Sequence, residues 1–193
     1  MDFGLQGKVA LVSGGSKGIG RAIAEELARE GARVLIAARG QEAIDATIGA
    51  IRAQGGVAAG CAADLATEEG VLRAVAAARE SFGPPEIAIT NVYGPTHGRW
   101  DETQNDDFRA AYDQIVMSVV WLSRAVVPDM KKKRWGRLLN IGSICAKEPH
   151  RELPLVTANV TRVGVVALNK SLSAELGRFG ITVNTLATGG FLT

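Results

Sequence analysis

Cysteine, net charge and long apolar runs are all scarce in this chain of 193 residues. The two cysteines, Cys61 and Cys145, do not form a spaced disulfide framework. A reducing, cytoplasmic setting is therefore expected. A formal net charge of +2 is too small to imply nucleic acid as a partner. No apolar run reaches the length of a membrane span. Residues 1–7 are polar and short, unlike a secretory leader. Internal repeats, low-complexity tracts and long linkers are also lacking, so a single domain over residues 1–193 with a substantial core is expected. No metal site is expected. The one basic run, Lys131-Lys132-Lys133-Arg134, falls at the end of a predicted helix, where cations complement the helix dipole.

What is abundant is glycine, at 23 residues, and its placement is informative. An apolar strand, Val9-Ala10-Leu11-Val12, runs into Ser13-Gly14-Gly15-Ser16-Lys17-Gly18-Ile19-Gly20 and then into an amphipathic helix over residues 19–29. Strand, glycine turn and helix form the context of a dinucleotide fingerprint. Gly14 permits a tight turn. Gly18 and Gly20 allow close approach of backbone to a pyrophosphate, and the free N–H groups at the helix start favour phosphate oxygens. The spacing Gly-x-x-x-Gly-x-Gly resembles that of the short-chain dehydrogenase/reductase family. That resemblance implies coenzyme contacts from Gly14, Ser16, Lys17, Gly18, Ile19 and Gly20.

Further strands are predicted over residues 33–37, 57–62 and 86–90, with helices over 42–54 and 68–82 between them. A fifth strand follows Trp135, and a sixth strand with its following loop covers residues 184–193. This alternation predicts a doubly wound α/β fold with a parallel sheet in the order 3-2-1-4-5-6. The second strand ends in Ala38-Arg39-Gly40, without the acidic residue that would bind a ribose 2′-hydroxyl. Arg39 and Lys17 can instead face a 2′-phosphate, so NADP(H) is preferred over NAD(H). The resemblance assigns Asp64 and Leu65 to the adenine end, with Thr67 the better cap for the helix that follows.

The family's Asn-Asn-Ala-Gly turn reads Asn91-Val92-Tyr93-Gly94 here. Asn91 would line the coenzyme. Tyr93 falls beside the expected nicotinamide, either as a stand-in acid or as a turn aromatic covering the strand end. A long helix is predicted from Asp106 or Asp107 through Met130, with Ile115 where the family often carries a catalytic-site asparagine. Ser143 matches the family's catalytic serine.

The family's Tyr-x-x-x-Lys pair does not follow. Counting back from Ile181-Thr182-Val183-Asn184 puts Ala158 at the tyrosine place and Arg162 at the lysine place. No tyrosine or lysine occurs from position 151 to 169. A subset of 3-oxoacyl carrier-protein reductase-like proteins looks similar. It pairs a Met-Ser-containing helix, here Val116-Met117-Ser118-Val119, with Lys147-Glu148-Pro149 and with Asn159-x-x-Arg162. On that resemblance Ser143, Asn159 and Arg162 form the catalytic set, with Arg162 also holding the coenzyme ribose. The substrate would be a small carbonyl or acyl compound. A catalytically impaired nucleotide-binding protein of the same fold is the other reading. The helices starting near Asp106 and Leu153 are expected to pair subunits into a homodimer or homotetramer. The family's Pro-Gly pair reads Thr188-Gly189, and the region of its seventh strand is absent from this sequence.

Overall fold

The computed structural model describes residues 2–149 and 152–189. Residues 190–193, the last part of the predicted loop after the sixth strand, lie outside the described residues. Six strands form one parallel sheet: β1 (Val9–Ser13), β2 (Arg33–Ala38), β3 (Val57–Ala62), β4 (Ile87–Thr90), β5 (Gly136–Ile141) and β6 (Ile181–Leu186). Their spatial order is β3-β2-β1-β4-β5-β6. The order reverses between β1 and β4, which places a crevice at the carboxyl ends of these strands.

Period-two alternation splits the core into two layers. Leu11, Leu35, Ala88 and Leu138 pack against Val71, Val75 and Ala78 of α3 (Glu68–Phe82) and against Leu122, Val126 and Met130 of α5 (Ser118–Lys133). Their neighbours Ala10, Val12, Val34 and Ile36 pack on the other side. There they meet Ala24 and Ala28 of α1 (Gly18–Arg29) and Ile44 and Ile51 of α2 (Gln41–Ala53). Thr67 caps α3 by accepting a hydrogen bond from Gly70 N–H at 3.1 Å, as its sequence position suggests. The basic run occupies the last turn of α5 and ends at Arg134 in the left-handed region.

Two boundaries differ from the sequence reading. The sixth strand begins at Ile181, not Asn184, because Ile181 and Val183 alternate into the core. The helix placed near Leu153 begins at Val156 as α6 (Val156–Leu176). Pro154 is spent on a loop contact, its carbonyl accepting Gly98 N–H at 2.7 Å. The long helix is also not uniform. It runs as α4 (Asn105–Tyr112), a π-helical segment (Asp113–Met117) and then α5. The wider turn buries three consecutive residues, Gln114, Ile115 and Val116, which one α-helical face cannot do.

Glu86 ties the N-terminal edge of the sheet together. Its carboxylate accepts from Lys8 Nζ at 3.0 Å and from Val9 N–H at 3.4 Å, and faces Lys133 Nζ at 3.4 Å. Burial alone would raise its pKa. The Lys8 hydrogen bond, the Lys133 charge and the Val9 N–H outweigh burial and hold the carboxyl below its ordinary value. A lowered folded-state pKa gives stability that is present above the unfolded value and lost as pH falls through the folded one. Glu86→Gln should therefore cost about 1.5 kcal/mol at neutral pH. The gap to wild type should close on acidification below the ordinary glutamate range, as followed by thermal melts across pH.

Candidate active site

At the crevice, the turn after β1 is closed by steric necessity. Gly14 has φ +62°, and a Cβ there would stand 2.4 Å from Asn91 O. A Cβ on buried Gly20 would stand 2.1 Å from Gly14 O and 2.6 Å from Asn91 Nδ2. Glycine at these two places lets the turn, the first turn of α1 and the end of β4 touch backbone to backbone. Ser13 Oγ donates to Asn91 O at 3.2 Å, which fixes the same junction.

The result is a cleft of about 430 Å³. It is lined by Gly14, Ser16 and Lys17 from the glycine turn, Arg39 from the end of β2, Asp64 and Leu65 after β3, and Asn91 after β4. Lys17 and Arg39 are both exposed there, and no carboxylate stands at the end of β2. Asp64 Oδ1 accepts Ala66 N–H at 3.0 Å, forming a local turn, while Thr67 caps the helix. Gly18, Ile19 and Gly20 lie outside the lining, in the first turn of α1; Ile19 packs on the core and Gly20 supports Gly14 from behind. A narrow backbone cradle at a helix start, flanked by two cations, fits the phosphates of a dinucleotide.

A second cavity of about 240 Å³ lies beyond the same loop. Asn91, Val92 and Tyr93 wall the cleft, and the next two residues, Gly94 and Pro95, wall the cavity. Ser143, Cys145, Ala158, Arg162 and His97 also line it. Ser143 Oγ accepts Cys145 N–H at 3.2 Å, so its own proton stays available for a ligand oxygen. The Ser143 loop is clamped by Thr188, whose Oγ1 donates to Gly142 O at 2.8 Å and whose carbonyl accepts Ile144 N–H at 2.9 Å. Threonine thus anchors this loop from the place where the family carries proline.

Arg162 reaches from α6 between this cavity and a smaller one lined by Ile115, Asn140 and Thr185. Burial pulls its pKa below the ordinary guanidinium value, with Cys145 acting in the opposite sense. Among the described residues it has no hydrogen-bond or ion-pair partner. A half-buried guanidinium without a counter-group is a modest cost to the fold, and such groups are often kept for ligands. Asn159 lines neither cavity; its Oδ1 is sealed from solvent and has no hydrogen-bond partner.

Tyr93 departs from the sequence reading. It lines the cleft rather than the Ser143 cavity, and its ring carries the Arg39 guanidinium at 4.4 Å from the centroid. The attraction between cation and ring face ties it to the end of β2. Two residues were missed by sequence reasoning. Gln114, turned inward by the π-helical segment, donates from Nε2 to Tyr93 O at 2.8 Å and to Gly94 O at 3.4 Å. A buried polar residue within an apolar helical stretch was the available signal. His97 is the other, and only the tertiary fold brings it beside Ser143 and Ala158.

Among the described residues no cluster of three or more metal-ligating side chains occurs, and no helix is long and apolar enough to cross a membrane.

Comparison with known proteins agrees with this geometry. The short chain dehydrogenase family profile matches residues 8–193. The chain is 33% identical to a 3-oxoacyl-[acyl-carrier-protein] reductase of Pseudomonas aeruginosa over 185 residues, 96% of this chain and 74% of that protein. It is also 33% identical to 1,6-dihydroxycyclohexa-2,4-diene-1-carboxylate dehydrogenase of Acinetobacter baylyi over 184 residues, 95% of this chain and 69% of that protein. The crystal structure of L-sorbose reductase from Gluconobacter frateurii, complexed with NADPH and L-sorbose, superposes with a TM-score of 0.94 at 34% identity. That match covers 100% of this chain and 73% of that one. Sheet order, glycine turn and family profile converge: the chain belongs to the short-chain dehydrogenase family of NAD(P)-dependent oxidoreductases.

Proposed function

We propose that the chain is an NADP(H)-dependent reductase of a small carbonyl compound, or the reverse alcohol dehydrogenase, similar to 3-oxoacyl carrier-protein reductases. The observation that carries this reading is the single wall, residues 91–95, with a cation-flanked cleft on one side and the Ser143–Arg162 cavity on the other. Gly14, Ser16, Lys17, Asp64, Leu65 and Asn91 hold the adenosine and pyrophosphate half, with Gly18, Ile19 and Gly20 shaping the helix start behind them. Arg39 and Lys17 face the 2′-phosphate.

When bound, the coenzyme supplies or accepts a hydride. The protein's own part is positioning and charge. Ser143 Oγ donates a hydrogen bond to the carbonyl oxygen. Arg162 supplies a fixed positive charge whose screening by water is reduced by partial burial. Arginine cannot release a proton near neutral pH, so it does not replace the family's tyrosine. His97 takes that part: it lines the same cavity as Ser143, and an imidazole can donate from one ring nitrogen and accept at the other. Thr157 Oγ1 donates to Thr96 O at 3.2 Å, and Gly98 N–H donates to Pro154 O at 2.7 Å. Both neighbours of His97 are thereby laced to the start of α6, the helix that carries Ala158. Asn159 lines neither cavity, so it is assigned only a supporting position beside Ala158 on the same helix and no contact with the carbonyl oxygen.

Exposed Val160, Val163 and Val166 on α6, with Tyr112 on α4, support pairing of subunits through these helices.

The reading is tested by following loss of reduced-nicotinamide absorbance with NADPH and a panel of ketoses, β-keto thioesters and cyclic ketones. At least one should be reduced. Ser143→Ala and His97→Gln should each lower kcat by about 10²–10³-fold with coenzyme affinity unchanged. The absence of tyrosine and lysine at positions 158 and 162 favours a second reading, a non-catalytic nucleotide-binding protein. It predicts NADPH binding with no oxidation by any carbonyl.

A further inference from the structure

We propose that Tyr93 is a positioning residue that sets coenzyme specificity, holding Arg39 ready for the 2′-phosphate. The inference rests on the NADP(H) reading above and deepens it. Tyr93 is 55% exposed, so core packing gives little reason for a large aromatic at this turn. What the ring does contact is a cation: the Arg39 guanidinium carbon stands 4.4 Å from its centroid. Arg39 is exposed, and among the described residues it has no hydrogen bond or ion pair. An arginine in that situation is otherwise free to sample many rotamers, and ordering it on binding costs affinity.

The stack removes much of that cost without using up the group that binds. With the guanidinium carbon over the ring at 4.4 Å, a parallel stack would keep its five N–H donors in its own plane and pointing outward. The edge therefore stays open to phosphate oxygens, for which its fork geometry is suited. Lys17 lines the same cleft and supplies a second cation. The backbone that carries the ring is held as well. Gln114, buried in the π-helical segment, donates to Tyr93 O and to the next carbonyl, Gly94 O. An interruption of the long helix thus fixes the backbone that presents the ring, and the ring presents the guanidinium.

The experiment is calorimetric titration of the full chain with adenosine 2′,5′-bisphosphate and with adenosine 5′-monophosphate, which needs no turnover. Wild type should bind the bisphosphate more tightly. Tyr93→Ala and Tyr93→Leu should each weaken bisphosphate binding about three- to fivefold while leaving the monophosphate within about twofold. The monophosphate titration also reports that the variants fold. Tyr93→Phe, which keeps the ring face and loses the hydroxyl, should behave as wild type. Arg39→Ala should abolish the preference. If Tyr93→Ala keeps the wild-type ratio while Arg39→Ala destroys it, Tyr93 has no such role and the coenzyme reading stands. A Tyr93→Phe variant that matches Tyr93→Ala overturns the ring argument as well. If wild type shows no preference for the 2′-phosphate, the NADP(H) reading itself fails and this proposal with it.

Discussion

Gly20→Ala should bind coenzyme about 100-fold more weakly than wild type and melt at a lower temperature. The added methyl would stand 2.1 Å from Gly14 O and 2.7 Å from Gly14 C. Both are backbone atoms, so no flexible side chain can yield. A third contact, at 2.6 Å, is with Asn91 Nδ2, whose residue closes the turn from β4. Relief requires moving the glycine turn away from the first turn of α1. That movement breaks the alignment of the N–H groups with the phosphates. Overpacking of this sort costs about 1–3 kcal/mol in the fold. The loss of coenzyme affinity, about 100-fold, corresponds to about 2.7 kcal/mol. Alanine at Gly49, on the exposed face of α2 and outside the cleft lining, where a Cβ meets nothing within 4 Å, serves as the control and should leave coenzyme affinity unchanged without lowering the melting temperature. Titration and thermal melts of both variants check this. Normal coenzyme affinity in Gly20→Ala would remove the glycine turn from the binding site.

Arg162→Met should raise the melting temperature and at the same time remove most of the activity. These opposite signs follow from one observation. The guanidinium is half-buried, and among the described residues nothing pairs with it. In the empty protein its charge is a net cost, and methionine fills similar volume without it. Because the group is only half-buried and water screens part of its charge, the gain should be small, about 0.5–1 kcal/mol, a rise of roughly 1–4 °C for a chain of this size. On the proposed function, that charge stabilises the substrate oxygen as it becomes negative. Removing it should lower kcat/KM by about 10²–10³-fold. Groups that lower stability while serving the reaction mark a site. If Arg162→Met melts lower than wild type, the guanidinium has a structural partner and its assignment to the reacting oxygen loses its main support.

Much of this was legible in the sequence for a local reason. The glycine turn, the apolar runs of β1 and β2 and the Thr67 cap each draw their structure from neighbours in the chain. Alternation of strand and helix pointed to a parallel sheet, and the resemblance to the short-chain family supplied its order. The Ser143 strand end was placed for the same reason. What could not be read depends on partners distant in sequence. Tyr93 finds Arg39 across the crevice, 54 positions away by number, because a cation and a ring happen to face one another in the fold. The π-helical segment leaves no composition signal, and it alone turns Gln114 toward the Tyr93–Gly94 backbone. His97 sits in an irregular loop whose course is fixed by bonds to residues 154 and 157. Asn159 was placed by spacing on α6, and spacing gives a helix face but not a cavity.

The central claim is that main-chain amides and two cations in the 430 Å³ cleft hold a 2′-phosphorylated dinucleotide. Calorimetric titration of the intact wild-type protein with NADPH and, separately, with NADH tests it most directly. The account predicts saturable binding of one coenzyme per chain, with NADPH tighter by at least about tenfold through its charge-assisted phosphate contacts. Neither heat nor saturation with either coenzyme would contradict it.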